Sequence, residues 1–308
     1  MNSRFRTQLE SNGLVQIGGR AGSRPSSADS AFDSPSLDDK LERLGAWIAS
    51  TGSAIVAYSG GVDSSLVLRA SRNALGDRVL AVIGRSDSYA LRELELALAQ
   101  AQAMGARVEV VATGELSDPN FRSNPANRCY HCKSELYRKL EHVRLREGFA
   151  AVLDGTIADD LGDWRPGRRA AFESGVRSPL AELGFTKRDV REAARRFGLE
   201  SHDKPASPCL ASRIPYGQEI TARKLASIEA GEELLRSLGL GDLRLRHHGD
   251  LARIEVPVED LPRLVEPGAR SRLVEGLRGL GFRHVTLDLL GFRSGSLNEA
   301  LGEPPPNS

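Results

Sequence analysis

The chain has 308 residues, 40% of them hydrophobic, three cysteines, and 42 Lys+Arg against 41 Asp+Glu for a formal net charge of +1. This is globular composition with material for a sizeable core. It excludes a strongly basic molecule drawn bodily onto nucleic acid or an anionic membrane, a bilayer-spanning apolar run, and a disulfide scaffold. The start lacks the apolar core of a secretory signal, which predicts a cytoplasmic protein. Residues 1–37 read as a tail, because GGRAGSRPSSADS is polar and has no apolar period. GEPPPNS is a second loose end. Order is expected from Leu37, where LDDKLERLGAWIAS sets Leu37, Leu41, Leu44, Trp47 and Ile48 at helical spacing. SAIVAYS is an apolar run leading into Gly60-Gly61 and reads as a buried strand entering a turn. DSSLVLRASRNAL is helical, RVLAVIG a second strand, LRELELALAQAQAMG a helix, RVEVVAT a third strand and AAVLDGT a fourth. This alternation predicts an α/β fold, a Rossmann-like parallel sheet with helices on both faces.

Beyond residue 205 the pattern changes. ITARKLASIEAGEELLRSLGL reads as one long helix, and LRLRHHGDLARIEV as two strands around a Gly-Asp turn. Two short helical stretches follow, then HVTLDLLGF as a last strand. The expected organisation is a tail over 1–37, an α/β domain over 38–205 and a smaller α+β domain over 206–308. The segment between the domains, SHDKPASPCLASRIPYG, carries three prolines and little periodicity. Long ordered loops of this kind are often functional.

The most specific motif is Ser59-Gly60-Gly61-Val62-Asp63-Ser64-Ser65, between a predicted strand and a predicted helix. Two glycines permit φ > 0 and close backbone approach to a ligand. The helix start offers free amides and the positive dipole end, which suits an anion. Ser59, Ser64 and Ser65 add hydroxyl donors. Asp63 repels phosphate unless a cation intervenes, and Mg²⁺ would resolve that conflict. The plainer reading is a strand-to-helix turn with Asp or Ser as N-cap. The turn lacks the lysine of a GxxxxGK[ST] loop and resembles the SGGxDS loop of the PP-loop ATP pyrophosphatases, adenine nucleotide alpha hydrolase-like proteins. The resemblance implies ATP cleaved between the α and β phosphates and an adenylated intermediate.

Cys129 and Cys132 lie in NRCYHCK, and Cys209 in KPASPCLASR. None falls on an apolar periodic face, where a buried structural cysteine is expected. A Cys-x-x-Cys pair fits a redox disulfide or half a zinc site, with His131 or His202 as further ligands. Three thiolates on one [4Fe–4S] cluster is the sharper reading, leaving one iron open to a ligand such as hydrosulfide. Spacing alone does not separate zinc from cluster. Asp154, Gly155 and Thr156 end the fourth predicted strand, where open α/β sheets place ligands.

SGGVDSS, NRCYHCK, DGTIADDLGDWRPG, GVRSPLAELG, KPASPCLASRIPYG and RHHGDLARIEV together resemble the ATP-dependent sacrificial sulfur transferases, the LarE-type proteins, from about residue 40 to about 295. The resemblance implies a PP-loop enzyme with a C-terminal α+β domain that thiolates pyridinium-3,5-biscarboxylic acid mononucleotide toward the nickel-pincer nucleotide cofactor. ATP adenylates a carboxylate and sulfur displaces AMP. The family uses two sulfur strategies: a loop cysteine that gives up its own sulfur, or three cysteines holding a [4Fe–4S] cluster. This chain is similar to the second, which implies Cys129, Cys132 and Cys209 as ligands. The resemblance also implies Asp63 as a catalytic residue, with Ser59, Gly60, Gly61, Ser64, Ser65, Gly155 and Thr156 around ATP. It further implies Ser212 and Arg213 in catalysis beside Cys209, Arg213, Arg244 and Arg246 on the substrate, and a homo-oligomer. The family pattern DGTNADD has Asn where this chain has Ile157. Asp159 and Asp160 read as acidic caps or as Mg²⁺ partners. Glu232 and Glu255 read as metal ligands, with a solvated helix face as the alternative for Glu232, and a solvated basic strand face explains Arg244 and Arg246 equally well. A PP-loop tRNA thiolase is the main rival; the charge balance and 5% aromatic content weigh against an RNA surface. A non-catalytic ATP-binding or metal-storing protein is the other, against which the intact turn counts.

Overall fold

The computed structural model describes residues 35–162, 165–205, 207–293 and 297. The expected N-terminal tail, as far as residue 34, and the closing GEPPPNS lie outside the described residues. Helix α1 (Leu37–Ala49) opens with a capping box, Ser36 and Asp39 each accepting the other's backbone amide at 3.2 Å. It buries Leu44 and Ile48.

The chain then alternates: β1 (Ala54–Ala57), α2 (Val62–Leu75), β2 (Val79–Arg85), α3 (Leu91–Ala103) and β3 (Arg107–Ala112). A one-turn α4 (Pro119–Arg122) precedes the long α5 (Arg128–Glu147) and β4 (Ala151–Leu153). The four strands form one parallel sheet in the order β3-β2-β1-β4, with Ile55 in register with Leu80 on one side and Val152 on the other. Side chains alternate across it. Ala54, Val56, Val79, Ala81 and Ile83 pack with residues of α1, α2 and α3, and Ile55, Ala57, Leu80, Val82 and Val152 pack with Tyr137, Leu140 and Val143 of α5. Both faces are buried, as a parallel sheet requires. The chain leaves β1 toward β2 and β3 on one side and returns as β4 on the other. That reversal puts a crevice at the carboxyl ends of β1 and β4. The Rossmann-like α/β reading is what the structure has.

Helices α6 (Pro166–Glu173), α7 (Pro179–Glu182) and α8 (Lys187–Arg196) complete the cover, and α9 (Ala222–Arg236) leads into the second sheet. There β5 (Arg244–His248) and β6 (Leu251–Glu255) form the hairpin, α10 (Leu261–Val265) and α11 (Pro267–Gly279) follow, and β7 (His284–Leu287) closes the order β5-β6-β7. The first pair is antiparallel and the second parallel. The last strand is shorter than HVTLDLLGF suggests, because the Asp288 carboxylate accepts the Leu290 amide at 3.0 Å and turns the chain. Leu235 of α9 and Leu273 and Leu277 of α11 cover the small sheet through Leu245 and Ile254. A fourth apolar group, Phe121, Leu210, Ala211, Ile214, Ile220, Leu225 and Ile228, lies against Cys132 and Cys209. No helix among the described residues is long and apolar enough to cross a membrane.

Candidate active site

The glycine-rich turn follows β1. Gly60 takes φ +66, and a Cβ there would stand 2.7 Å from the Cβ and 3.0 Å from the Cα of Ala97 in α3, so this position needs glycine. Gly61 is the N-cap of α2, and no side chain caps that helix. Its first amides therefore have no side-chain acceptor and suit an anion. The hydroxyls divide. Ser64 Oγ donates to Gly61 O at 3.1 Å and lies 3.2 Å from Ser59 Oγ, while Ser65 Oγ lies 3.3 Å from the Tyr58 hydroxyl. Ser64 and Ser65 thus brace the turn, and Ser59 is the exposed one. Beside them, a Cβ on Gly155 would stand 2.7 Å from Ser64 N, so the end of β4 presses directly on the start of α2. Asp154 fixes that end: it accepts from Thr156 N at 3.1 Å, Thr156 Oγ1 at 2.9 Å, Ser178 Oγ at 2.7 Å and Tyr137 OH at 3.2 Å.

Asp63 meets a cation that the motif does not contain. Lys187 Nζ, at the start of α8, lies 2.8 Å from both Asp63 oxygens. Asp159 and Asp160 take the capping role. Asp159 accepts the Lys187 amide at 2.8 Å, and Asp160 accepts the Ile157 amide at 3.1 Å. Ile157 itself is buried in the main core, so here the position packs.

Cys129 and Cys132 occupy the first turn of α5, and Cys209 precedes a 3₁₀ turn over Leu210–Arg213. The two segments converge. Burial pushes the Cys132 thiol well up, and the nearby Glu115, Cys209 and Cys129 add to the rise. Burial and then Cys209 push Cys129 up, against Arg128 and Lys133. Cysteine sulfurs are the donor chemistry of iron–sulfur clusters, and a bound cation would draw the buried thiols into the thiolate form that their surroundings otherwise oppose. The donor types that the two segments bring near one another suit such a group. Among the described residues no three His, Cys, Asp or Glu side chains are gathered for a single metal ion. The histidines suggested for zinc have other partners: His131 faces Asp118 at 3.5 Å, and His202 lies 2.9 Å from Leu199 O and 2.8 Å from Asp203.

Arg213 and Arg246 are buried scaffolding as well as neighbours of the cysteine loop. Arg213 binds Glu232 through Nε at 2.8 Å and Nη2 at 3.1 Å, and its Nη1 donates to Pro208 O, Cys209 O and Ser212 Oγ. Arg246 grips Glu255 at 3.0 and 2.9 Å and donates to Ser212 O at 2.8 Å. Glu232 is 2% exposed, which rules out the solvated helix face, and Glu255 is 1% exposed. Burial likewise rules out a solvated strand face for Arg246. Burial would raise the Glu232 carboxyl, but Arg213 and the Leu245 amide hold it below the usual range. Arg244 sits over Phe292 at 4.9 Å, and burial and then Arg213 bring it down to about 10.

Residues that the sequence reading did not single out lie between the two centres. Tyr89 OH donates to Ser59 O at 3.0 Å, while Leu210 N donates to the carbonyl of the adjacent Ser88 at 2.8 Å. Lys204 donates to Gly60 O at 3.3 Å and pairs with Glu93 at 2.8 Å. Lys133, pushed up to about 12, faces Tyr137 most strongly and then Asp154, Cys132 and Cys129, with burial opposing. Glu115 is 2% exposed, accepts from Ser88 Oγ at 2.8 Å and lies 4.0 Å from Cys132 Sγ. Its second oxygen has no hydrogen-bond partner among the described residues. A pocket beside Cys209 is lined by Tyr89, Arg92, Glu93, Arg213 and Arg236.

Fold and site together define a Rossmann-like α/β protein with an anion-ready helix start and a three-thiol group at the same end of its sheet. No family model matches the chain. It is 46% identical over 265 residues to an uncharacterized protein of Synechocystis sp., covering 86% of this chain and 99% of that one. It is 42% identical over 247 residues to the pyridinium-3,5-bisthiocarboxylic acid mononucleotide synthase of Lactiplantibacillus plantarum, covering 80% of this chain and 89% of that one. An uncharacterized protein of Methanocaldococcus jannaschii is 29% identical over 240 residues, 78% of this chain and 90% of its own. The chain belongs to the family of the Lactiplantibacillus synthase, the LarE-type sulfur transferases.

Proposed function

We propose that the protein is an ATP-dependent sulfur transferase that converts a carboxylate of pyridinium-3,5-biscarboxylic acid mononucleotide to a thiocarboxylate. The observation that carries this is the joining of the glycine-rich turn and the three-thiol group by Tyr89, Ser88 and Lys204, in a chain 42% identical to a synthase of the bisthiocarboxylic acid mononucleotide. The uncapped start of α2 receives the ATP phosphates. Asp63 would hold Mg²⁺, which supplies charge neutralisation at the phosphates, and Lys187, 2.8 Å from both Asp63 oxygens, is the cation placed to balance the pyrophosphate. The substrate carboxylate oxygen attacks the α-phosphorus, the α–β bridge breaks, and pyrophosphate leaves. A sulfide then attacks the acyl carbon and AMP departs with the C–O bond electrons. Lys133, between Asp154 and the cysteines, balances the charge that develops there.

Cys129, Cys132 and Cys209 would hold a [4Fe–4S] cluster, which supplies an iron able to carry sulfide and so permits repeated turnover. Arg213 and Ser212 fix the Cys209 loop, and Arg244 offers the substrate its guanidinium. Anaerobic incubation with ATP, sulfide and the mononucleotide, read by mass spectrometry, tests the reading. Thiocarboxylate with AMP and pyrophosphate is expected; ADP and phosphate would overturn it. Iron-free protein that forms a single thiocarboxylate, with Cys209 yielding its sulfur and becoming dehydroalanine, would replace the cluster with a single-use cysteine.

A further inference from the structure

Two segments far apart in sequence have to arrive at a fixed separation if three cysteines are to serve one centre. One buried residue joins those segments. Asn124, ahead of Cys129, is 0% exposed and takes φ +54, the one positive value among the described non-glycine residues. Asparagine is one of the few side chains that tolerate this conformation. Its side chain reaches the stretch just past Arg213: Nδ2 donates to Ile214 O at 3.2 Å and to Pro215 O at 2.8 Å. Its Oδ1 accepts from Arg128 Nη1 at 2.9 Å. The backbone continues the join, with Gly217 N donating to Asn124 O at 2.9 Å and Ile220 N to Arg122 O at 2.8 Å. Arg128, the residue before Cys129, then lays its guanidinium over the Tyr216 ring at 4.8 Å. The approach to the cysteine pair is thus laced to the exit from the Cys209 loop.

Resting on the reading that Cys129, Cys132 and Cys209 form one donor set, we infer that Asn124 is a positioning residue that holds the start of α5 and the Cys209 loop at the separation a shared metal centre requires. A turn that needed only the left-handed backbone would be served by glycine without strain. The amide of Asn124 adds what glycine lacks: two donors aimed at the far segment and one acceptor for Arg128. A strained, fully buried non-glycine residue persists where its surroundings over-determine it, commonly beside a working site.

The test compares wild type, Asn124→Gly and Asn124→Ala. The glycine variant keeps the backbone conformation and removes only the side chain. Each reduced, metal-free protein is treated anaerobically with a short bis-maleimide, and links from Cys209 to Cys129 or Cys132 are quantified by peptide mass spectrometry. Iron and acid-labile sulfide in the protein as isolated, thermal melting and ATP affinity are measured alongside. Both variants should lose cross-linking rate and iron content by ~10-fold or more, the scale on which ångström misplacements act. ATP affinity should stay near wild type. A glycine variant that melts, cross-links and loads iron like wild type overturns the inference, because the backbone conformation alone would then suffice. If the alanine variant fails to fold, the glycine variant decides. Absence of links in wild type would instead remove the shared-centre reading and this inference with it.

Discussion

The glycine-rich turn and the cysteine group lie at the same end of the parallel sheet but are built on opposite plans. The turn is one continuous stretch whose shape follows from Gly60 and from strand β1 leading into α2. The cysteine group is assembled from two stretches and held by the buried Arg213–Glu232 pair and the Asn124 lacing. Local geometry makes the first centre robust to changes elsewhere. The second depends on side chains that touch no thiol, so distant substitutions should affect it.

The sharpest way to break this contrast is Cys209→Ala. Sulfur transfer should fall ~10³-fold or more, as when a reacting group is deleted, while ATP binding by equilibrium titration holds. Loss of ATP binding would mean the two centres are not separable. Next in size is Glu232→Ala, which leaves Arg213 buried without its partner and should cost roughly 3–5 kcal/mol in denaturant unfolding, with metal content falling too. Gly155→Ala should cost about 1–3 kcal/mol by overpacking, and should weaken ATP binding while thiol cross-linking is preserved. A milder effect is expected with acid. The folded Glu232 carboxyl is held below its ordinary value, so its contribution is complete above about 4.3 and is lost as pH falls through the folded value. Melting temperature should therefore drop more steeply in wild type than in Glu232→Gln below that pH. The smallest effect is expected from Arg195→Ala, which removes an exposed pair with Glu192 at 2.7 Å and should leave melting unchanged.

What the sequence disclosed follows the same division. The parallel sheet, the turn and the hairpin around Gly249 are legible because each is set by neighbouring residues through period and turn chemistry. Lys187, Lys204, Tyr89, Glu115 and Asn124 carried no such signal. They come from five separate stretches and matter only through where the chain folds back. The solvated alternatives for Glu232 and Arg246 fail for a related reason. A charged residue in a helical or strand pattern reads as solvent-facing, and only a partner elsewhere in the fold makes its burial tolerable. Ile157 shows the converse, since its burial in the core explains an apolar residue where the family pattern is polar.

The connection between β2 and α3, residues 86–90, is pinned to the glycine-rich turn by Tyr89 and to the cysteine loop through the Ser88 carbonyl. The distance between the two workstations is therefore a ruler cut into one short loop. One inserted residue would add up to ~3.6 Å of slack, about the span over which reacting atoms must meet. This connection can drift by substitution but has little freedom to grow, unlike surface loops that absorb insertions cheaply.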